Sequence, residues 1–193
     1  MTITTKDIQK LREEIQAPML DCKKALEEAG GDFEKAKALL RKRGQKIMDK
    51  RAGKEVKEGI IGCYIHSNGK IASLVEVNCE TDFVAKNDEF KDLAHNLAMQ
   101  ITATNPKYIT PEDVPLKEID KEMEACILEF KDKPKKIIEK IAQGRIKKYC
   151  EEISLLKQPF IKDPDILVEE YIAEKVAKLG EKIKVKRFVR MEI

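Results

Sequence analysis

A β-hairpin signal near the middle of the chain constrains the fold more than any other feature. Two segments of alternating apolar and polar residues, 60–66 and 70–79, flank the turn sequence Ser67-Asn68-Gly69. Asn-Gly favours a two-residue hairpin turn because both residues accept positive φ angles. Alternate residues of the second segment should share one face of the sheet, namely Ile71, Ser73, Val75 and Val77. We therefore expect an antiparallel pair with one buried face.

A third strand is predicted at the C-terminal end, over residues 182–192. Its apolar residues alternate with basic ones and are Ile183, Val185, Val189 and Met191. A strand so distant in sequence must return across the fold, with the intervening helices stacked on the apolar face of the sheet. Those helices are predicted over 88–102, 111–130, 134–152 and 164–179. The fold class is therefore α+β, with a three-stranded, mainly antiparallel sheet packed with helices.

The first 44 residues predict a small three-helix bundle. Thr4 or Thr5, Pro18 and Asp32 open the three helices, and glycines end the second and third. A basic stretch with few large apolar residues follows and indicates a linker over 45–57. We expect three parts: an N-terminal domain at 1–44, this linker, and an α+β core domain at 58–193. The core domain should contain a helical hairpin at about 112–153.

Composition excludes several classes of protein. The net charge is only +3, from 38 basic and 35 acidic residues, whereas nucleic-acid binders need a concentrated basic face. Charges interrupt every apolar stretch, so neither a signal peptide nor a membrane span is expected. The cysteines lie at positions 22, 63, 79, 126 and 150 without metal-site spacing. We interpret them as reduced thiols, most of them in the core, of a cytoplasmic protein.

No enzyme motif is present in the sequence. A phosphate-binding loop needs Gly-x-x-x-x-Gly-Lys-Ser/Thr, and Gly69-Lys70 lacks the earlier glycine and lies in the hairpin turn. His66 and His95 belong to no motif that ties them to a nucleophile or a metal. We therefore expect no catalytic residues, no metal site and no cofactor.

The candidate functional residues lie at the junction between the second strand and the next helix. Thr81, Asp82, Phe83 and Val84 form a turn in which an aromatic side chain stands among polar residues. One interpretation is that Phe83 and Val84 fold back beneath the next helix as a hydrophobic staple. The other is that Phe83 projects outward and binds a partner.

Residues 81–84 resemble the Thr-Asp-Phe-Val signature of the elongation factor Ts family. The resemblance extends to Leu11-Arg12-Glu13, to the stretch 19–32, and to the C-terminal segments 177–183 and 187–190. The length of the chain is similar to that of the short form of the family. The resemblance implies a ubiquitin-associated-like N-terminal bundle.

The resemblance also implies a function. The chain would be a guanine-nucleotide exchange factor, without an active site of its own, that binds elongation factor Tu carrying GDP. Phe83 would enter an apolar pocket of the partner, and Asp82 would disturb its Mg²⁺ and phosphate site, with Thr81 and Val84 fixing the turn. A second contact is implied through Arg12, Met19 and Leu20, although Met19 at this spacing is also typical of a core residue.

Self-association as a homodimer is implied as well, whereas no nucleic acid or membrane is expected as a direct partner. The alternative hypothesis is a ribosome- or RNA-associated structural protein that uses the basic linker and the Lys-rich last strand.

Overall fold

The computed structural model describes residues 3–15, 17–130 and 134–193. The helices are α1 Thr5–Ile15, α2 Met19–Glu28, α3 Phe33–Lys50, α4 Asp82–Lys86, α5 Asp88–Thr104, α6 Leu116–Glu129, α7 Lys135–Glu152 and α8 Val168–Leu179. The strands are β1 Glu58–Ile65, β2 Ile71–Cys79, β3 Pro159–Phe160, β4 Asp163–Leu167 and β5 Lys184–Glu192. The predicted α+β class is confirmed. None of the described helices has the length and apolar character needed to span a bilayer.

The chain divides into two compact units. One comprises Met1–Thr102 with Glu169–Ile193, and the other comprises Ala103–Val168. The three-part division expected from the sequence stays a prediction. Its ranges include residues 1–2, 16 and 131–133, which lie outside the described residues.

The first three helices of the first unit form a small bundle. Thr4 and Asp7 make a reciprocal cap at the start of α1, and the Asp32 carboxylate accepts the Lys35 N–H at the start of α3. Apolar residues at helical spacing then meet in one buried cluster: Ile8, Leu11, Ala17, Cys22, Ala25, Leu26, Ala36 and Leu40.

Helix α3 continues to Lys50, so the predicted helix end at Gly44 is wrong, and the first residues of the predicted linker are helical. Gly44 is buried, and a Cβ atom added there would lie 2.3 Å from the backbone oxygen of Ala173 on α8. The glycine therefore allows a close approach between two helices and does not terminate one.

The three-stranded sheet has the order β1-β2-β5, with both pairings antiparallel. The hairpin is confirmed, but its turn is not the two-residue form. Gly69 has a φ of 67°, whereas Asn68 is not in the positive-φ region. The His66 N–H donates to the Ile71 carbonyl at 2.9 Å, which closes a longer loop over residues 67–70.

A β-bulge in β5 changes which of its residues face the core. Glu76 pairs with Arg187 but Val77 pairs with Val185, so Lys186 is an extra residue on β5. Ile183 and Val185 are buried as predicted. After the bulge the alternation reverses. Val189 and Met191 are therefore exposed on the outer face, and the expectation that all four share one face is wrong.

Helix α5 covers the inner face of the sheet. The Ser73 hydroxyl donates to the Ala98 carbonyl at 2.6 Å, and Asn96 donates to the Tyr171 hydroxyl of α8 at 2.8 Å. The apolar core of this layer includes Val75, Val77, Phe90, Leu93, Leu97, Ile101 and Val176. The sheet and its connecting turns therefore rest on a rigid, close-packed layer.

The second unit is built on α6 and α7. Arg145 donates to Glu122 at 2.6 Å and Tyr149 to Glu118 at 3.3 Å, which indicates that the two helices form an antiparallel pair.

Two predicted helix starts are wrong in this part of the chain. Pro111 opens only a short 3-10 turn, and α6 begins after Pro115, whose ring holds the preceding residue extended. Pro164 lies in β4, and α8 begins at Val168.

Candidate functional site

The turn between β2 and α5 presents the candidate residues. Strand β2 ends at Cys79, and the short helix α4 begins at Asp82 with Thr81 as its N-cap. Thr81 has extended backbone angles, φ −127° and ψ 156°, and its hydroxyl oxygen accepts the Val84 N–H at 3.4 Å. The sequence folds this way because threonine favours the extended N-cap conformation and its side chain satisfies a free N–H group of the first helical turn.

Phe83 points away from the protein. Its side chain is 82% exposed, whereas Val84 is half-buried and Ala85 is buried. A hydrophobic staple would bury Phe83, so the staple interpretation is wrong for this residue. Aromatic residues are enriched at protein–protein interfaces, and this exposed ring is accessible to a partner.

Asp82 lies beside Phe83 and remains accessible. Its carboxylate accepts a hydrogen bond from Lys86 Nζ at 2.7 Å, one helical turn further along α4. This contact holds the pKa of Asp82 below its usual value, so the side chain is ionised at neutral pH. In the parts of the chain that the structure describes, no three His, Cys, Asp or Glu side chains converge as metal ligands.

A glutamate from the far end of the chain holds the turn. One carboxylate oxygen of Glu181 accepts the N–H groups of Glu80 and Thr81 at 3.1 and 3.0 Å, and the other accepts the Thr81 hydroxyl at 2.6 Å. Glu181 follows Gly180, whose φ of 73° ends α8 and redirects the chain toward β5.

Glu80 makes the reciprocal contact. Its carboxylate accepts the backbone N–H of Lys182 at 2.7 Å and the Arg51 guanidinium at 2.7 Å. These contacts hold the pKa of Glu80 below its usual value, and the hydrogen bond from the Lys182 N–H has the largest effect. The segments 80–81 and 181–182 therefore hold each other through two carboxylates. Lys182 also donates to the carbonyl oxygens of Ala52 and Lys54.

Cys79 anchors the turn from inside the protein. The buried thiol donates to the Thr81 carbonyl at 3.2 Å. Burial, and then the nearby Glu181 carboxylate, raise the pKa of Cys79 to about 11. The thiol is thus a protonated donor at neutral pH. Cys22, Cys126 and Cys150 are buried too, whereas Cys63 is exposed.

The second group of candidate residues lies on α1 and α2. Arg12 and Met19 line an open depression of about 550 Å³ together with Gln9, Glu13 and Lys178. Met19 is 40% exposed and Leu20 is 62% exposed. The interpretation of Met19 as a core residue is therefore wrong, and a partner-binding role for these residues stays a prediction.

Comparison with known proteins identifies the family. A family model described as "Elongation factor TS" matches residues 3–193. The chain belongs to the elongation factor Ts family. It is 53% identical to elongation factor Ts of Moorella thermoacetica, over 99% of this chain and 95% of that protein. It is also 53% identical to elongation factor Ts of Thermotoga petrophila, over all of this chain and 97% of that protein. With elongation factor Ts of Thermodesulfovibrio yellowstonii the identity is 51%, over 100% and 97% of the two chains.

Sequence reasoning on this elongation factor Ts family member missed the side chains that hold the turn. Glu80 and Glu181 were not candidates, although Glu181 lies in the segment 177–183 that resembles the family. One signal in the sequence could have found them. The turn after the second predicted strand and the segment 177–183 before the last predicted strand both resemble the family, and the two strands were expected in one sheet. Adjacent strands bring such flanking segments together.

Proposed function

We propose that this elongation factor Ts family member is a guanine-nucleotide exchange factor for elongation factor Tu. It would bind the GDP-bound partner and promote GDP release by disturbing the Mg²⁺ and phosphate site. The observation that carries the proposal is the 82% exposure of Phe83 on a turn fixed by hydrogen bonds.

Insertion of Phe83 into an apolar pocket of the partner would supply the binding energy. Complete burial of a phenylalanine side chain contributes about 2 kcal/mol or more. Because the ring is already exposed and its turn is held in place, the protein gives up few contacts of its own to make this insertion. Thr81 and Val84 fix the turn from which the ring projects.

Asp82 would supply the unfavourable contact that loosens the nucleotide. The carboxylate is ionised, and an anion brought close to a phosphate and its metal competes for the polar groups that hold them. Favourable insertion of the ring would thus be coupled to a weaker Mg²⁺ site. The protein needs no active site of its own for this role, and the chemistry is that of the partner.

Exchange of this kind is reciprocal. The bound protein lowers the affinity of elongation factor Tu for GDP by a certain factor. Bound GDP must lower the affinity of elongation factor Tu for the protein by the same factor. The reaction takes place where translation does, so we propose a cytoplasmic location. We propose no direct nucleic-acid or membrane partner.

The N-terminal bundle would supply a second contact with the partner through Arg12, Met19 and Leu20. Met19 and Leu20 are exposed apolar side chains, and burying them at an interface would add to affinity. The bundle would therefore contribute to binding, whereas the turn at 81–84 would contribute to nucleotide release.

A homodimer is also part of the proposal. Cross-strand pairing places three rows of outward side chains on one face of the sheet, centred on Leu74 with Cys63 and Val189 beside it. Exposed apolar residues of this face are Ile61, Ile65, Leu74, Val189 and Met191. A second copy of the chain presenting the same apolar face is the occupant that we propose.

The alternative of an RNA-associated structural protein has less support. Two basic residues of β5, Lys186 and Arg187, pair with the same carboxylate, Glu76, at 2.9 and 2.6 Å. A basic surface compensated in this way neutralises phosphates less effectively. RNA affinity that falls steeply with salt would favour the alternative.

The proposal is tested by the release of a fluorescent GDP analogue from purified elongation factor Tu. We expect the protein to accelerate release in proportion to its concentration until the partner is saturated. Release at the intrinsic rate, with or without the protein, would contradict the proposal.

A further inference from the structure

We propose that Glu181 is a positioning residue for nucleotide exchange, acting through Thr81 to hold the turn that carries Phe83. This inference rests on the proposed function and adds a residue to it. It begins from the position of Glu181, which is about a hundred residues away from the turn in sequence and directly against it in the structure.

The contacts of Glu181 are concentrated on the base of the turn. Its two carboxylate oxygens accept three hydrogen bonds, from the Glu80 N–H, the Thr81 N–H and the Thr81 hydroxyl, at 2.6 to 3.1 Å. Hydrogen bonds to an ionised acceptor are about twice as strong as neutral ones. Thr81 and Glu181 are both half-buried, so water replaces these contacts poorly.

The Thr81 hydroxyl transmits the constraint to α4. It donates to Glu181 and accepts the Val84 N–H, so one oxygen atom joins the glutamate to the first turn of the helix. Phe83 lies between the two residues of this cap. The direction in which the ring projects is therefore set by a residue outside the turn.

The contact is reciprocal, which prevents the glutamate from moving away with its own segment. The Glu80 carboxylate accepts the N–H of Lys182 and pairs with Arg51 at the end of α3. Gly180, with its positive φ, fixes where Glu181 leaves α8. The ring is thus presented preorganised, and insertion does not require that a flexible turn be ordered first.

The test is a double-mutant cycle on GDP release from elongation factor Tu, measured at saturating protein. We expect Glu181→Ala to lower the maximal release rate at least about tenfold, because the substitution removes charge-assisted hydrogen bonds that hold the turn. In a Phe83→Ala background the same substitution should change the rate by less than about twofold, because the group it positions is gone. Glu181→Gln retains one oxygen acceptor and should restore part of the rate.

A matched control removes a glutamate of α8 that does not touch the turn. Glu174 pairs with Arg41 at 2.6 Å, and Glu174→Ala should leave the maximal release rate unchanged. Equal losses from Glu181→Ala and Glu174→Ala would overturn the proposal, as would additive effects of Glu181→Ala and Phe83→Ala.

Amide hydrogen exchange of the protein alone supplies a measurement that does not depend on activity. Glu181→Ala should speed exchange at the Glu80 and Thr81 amides while protection of the β2 core amides is retained. Unchanged protection at Thr81 would overturn the positioning role. If the wild-type protein does not accelerate GDP release from elongation factor Tu, the proposed function is wrong. The amide measurement still decides whether Glu181 holds the turn. If Glu181→Ala does not fold, Glu181→Gln and Thr81→Val replace it in the same cycle.

Discussion

Replacing Phe83 by alanine separates a binding role from a structural one. The side chain is 82% exposed, so folding buries less than a fifth of it. Since complete burial of a phenylalanine stabilises by up to about 3 kcal/mol, Phe83→Ala should lower the free energy of unfolding by no more than about 0.5 kcal/mol. Loss of about 2 kcal/mol from insertion into the partner should slow GDP release roughly 30-fold, because each 1.36 kcal/mol is tenfold in rate.

Phe90 provides the matched control within the same chain. It is the same residue type, seven positions later, and it is fully buried on α5. Phe90→Ala should lower the free energy of unfolding by about 3–5 kcal/mol. Urea unfolding measures both stabilities, and stopped-flow release of a fluorescent GDP analogue from elongation factor Tu measures exchange. A Phe83→Ala protein that is strongly destabilised, or that is stable and fully active, would refute the reasoning.

Three other experiments test separate parts of the structure. Leu74→Glu, at the centre of the outer sheet face, should yield a monomer with an unchanged circular dichroism spectrum; a persistent dimer in sedimentation equilibrium would exclude this face as the interface. Gly44→Ala should destabilise by about 1–3 kcal/mol because a backbone oxygen lies 2.3 Å from the new Cβ, whereas Gly144→Ala, with nothing within 4 Å, should stabilise by up to about 1 kcal/mol in urea titrations. In the monomeric Leu74→Glu variant, a thiol reagent at pH 8 should modify the exposed Cys63 rapidly and Cys79 only on unfolding, since Cys79 is buried with a pKa of about 11; equal rates by mass spectrometry would contradict this assignment.

Much of the architecture could be predicted because local signals agreed with one another. Caps at Thr4 and Asp32, the apolar stripes of the first helices, and the alternation in β2 all indicated elements that the structure contains. For these elements the deciding interactions are between residues close in sequence. The exposed position of Phe83 was different, because the residues alone left the buried staple open and the resemblance to the family favoured an outward ring.

The errors arose where a distant contact decides a local conformation. Gly44 resembles a helix end, but α8 packs against it and the helix continues. Pro164 resembles a helix start, but Asp163–Leu167 pairs with a short strand instead. The same physics hid Glu181, whose hydrogen bonds join segments about a hundred residues apart. No periodicity within one segment records such a contact.

The single extra residue at Lys186 determines which way the second half of β5 faces. Up to that residue the strand turns its aliphatic side chains toward the helices, and beyond it the same kind of side chain meets solvent. If Lys186 instead paired with Glu76, as in a strand without the bulge, the register beyond it would shift by one residue and direct Val189 and Met191 inward. The one unpaired residue, independent of hydrophobicity, thus determines whether this edge strand offers aliphatic or charged groups to its surroundings.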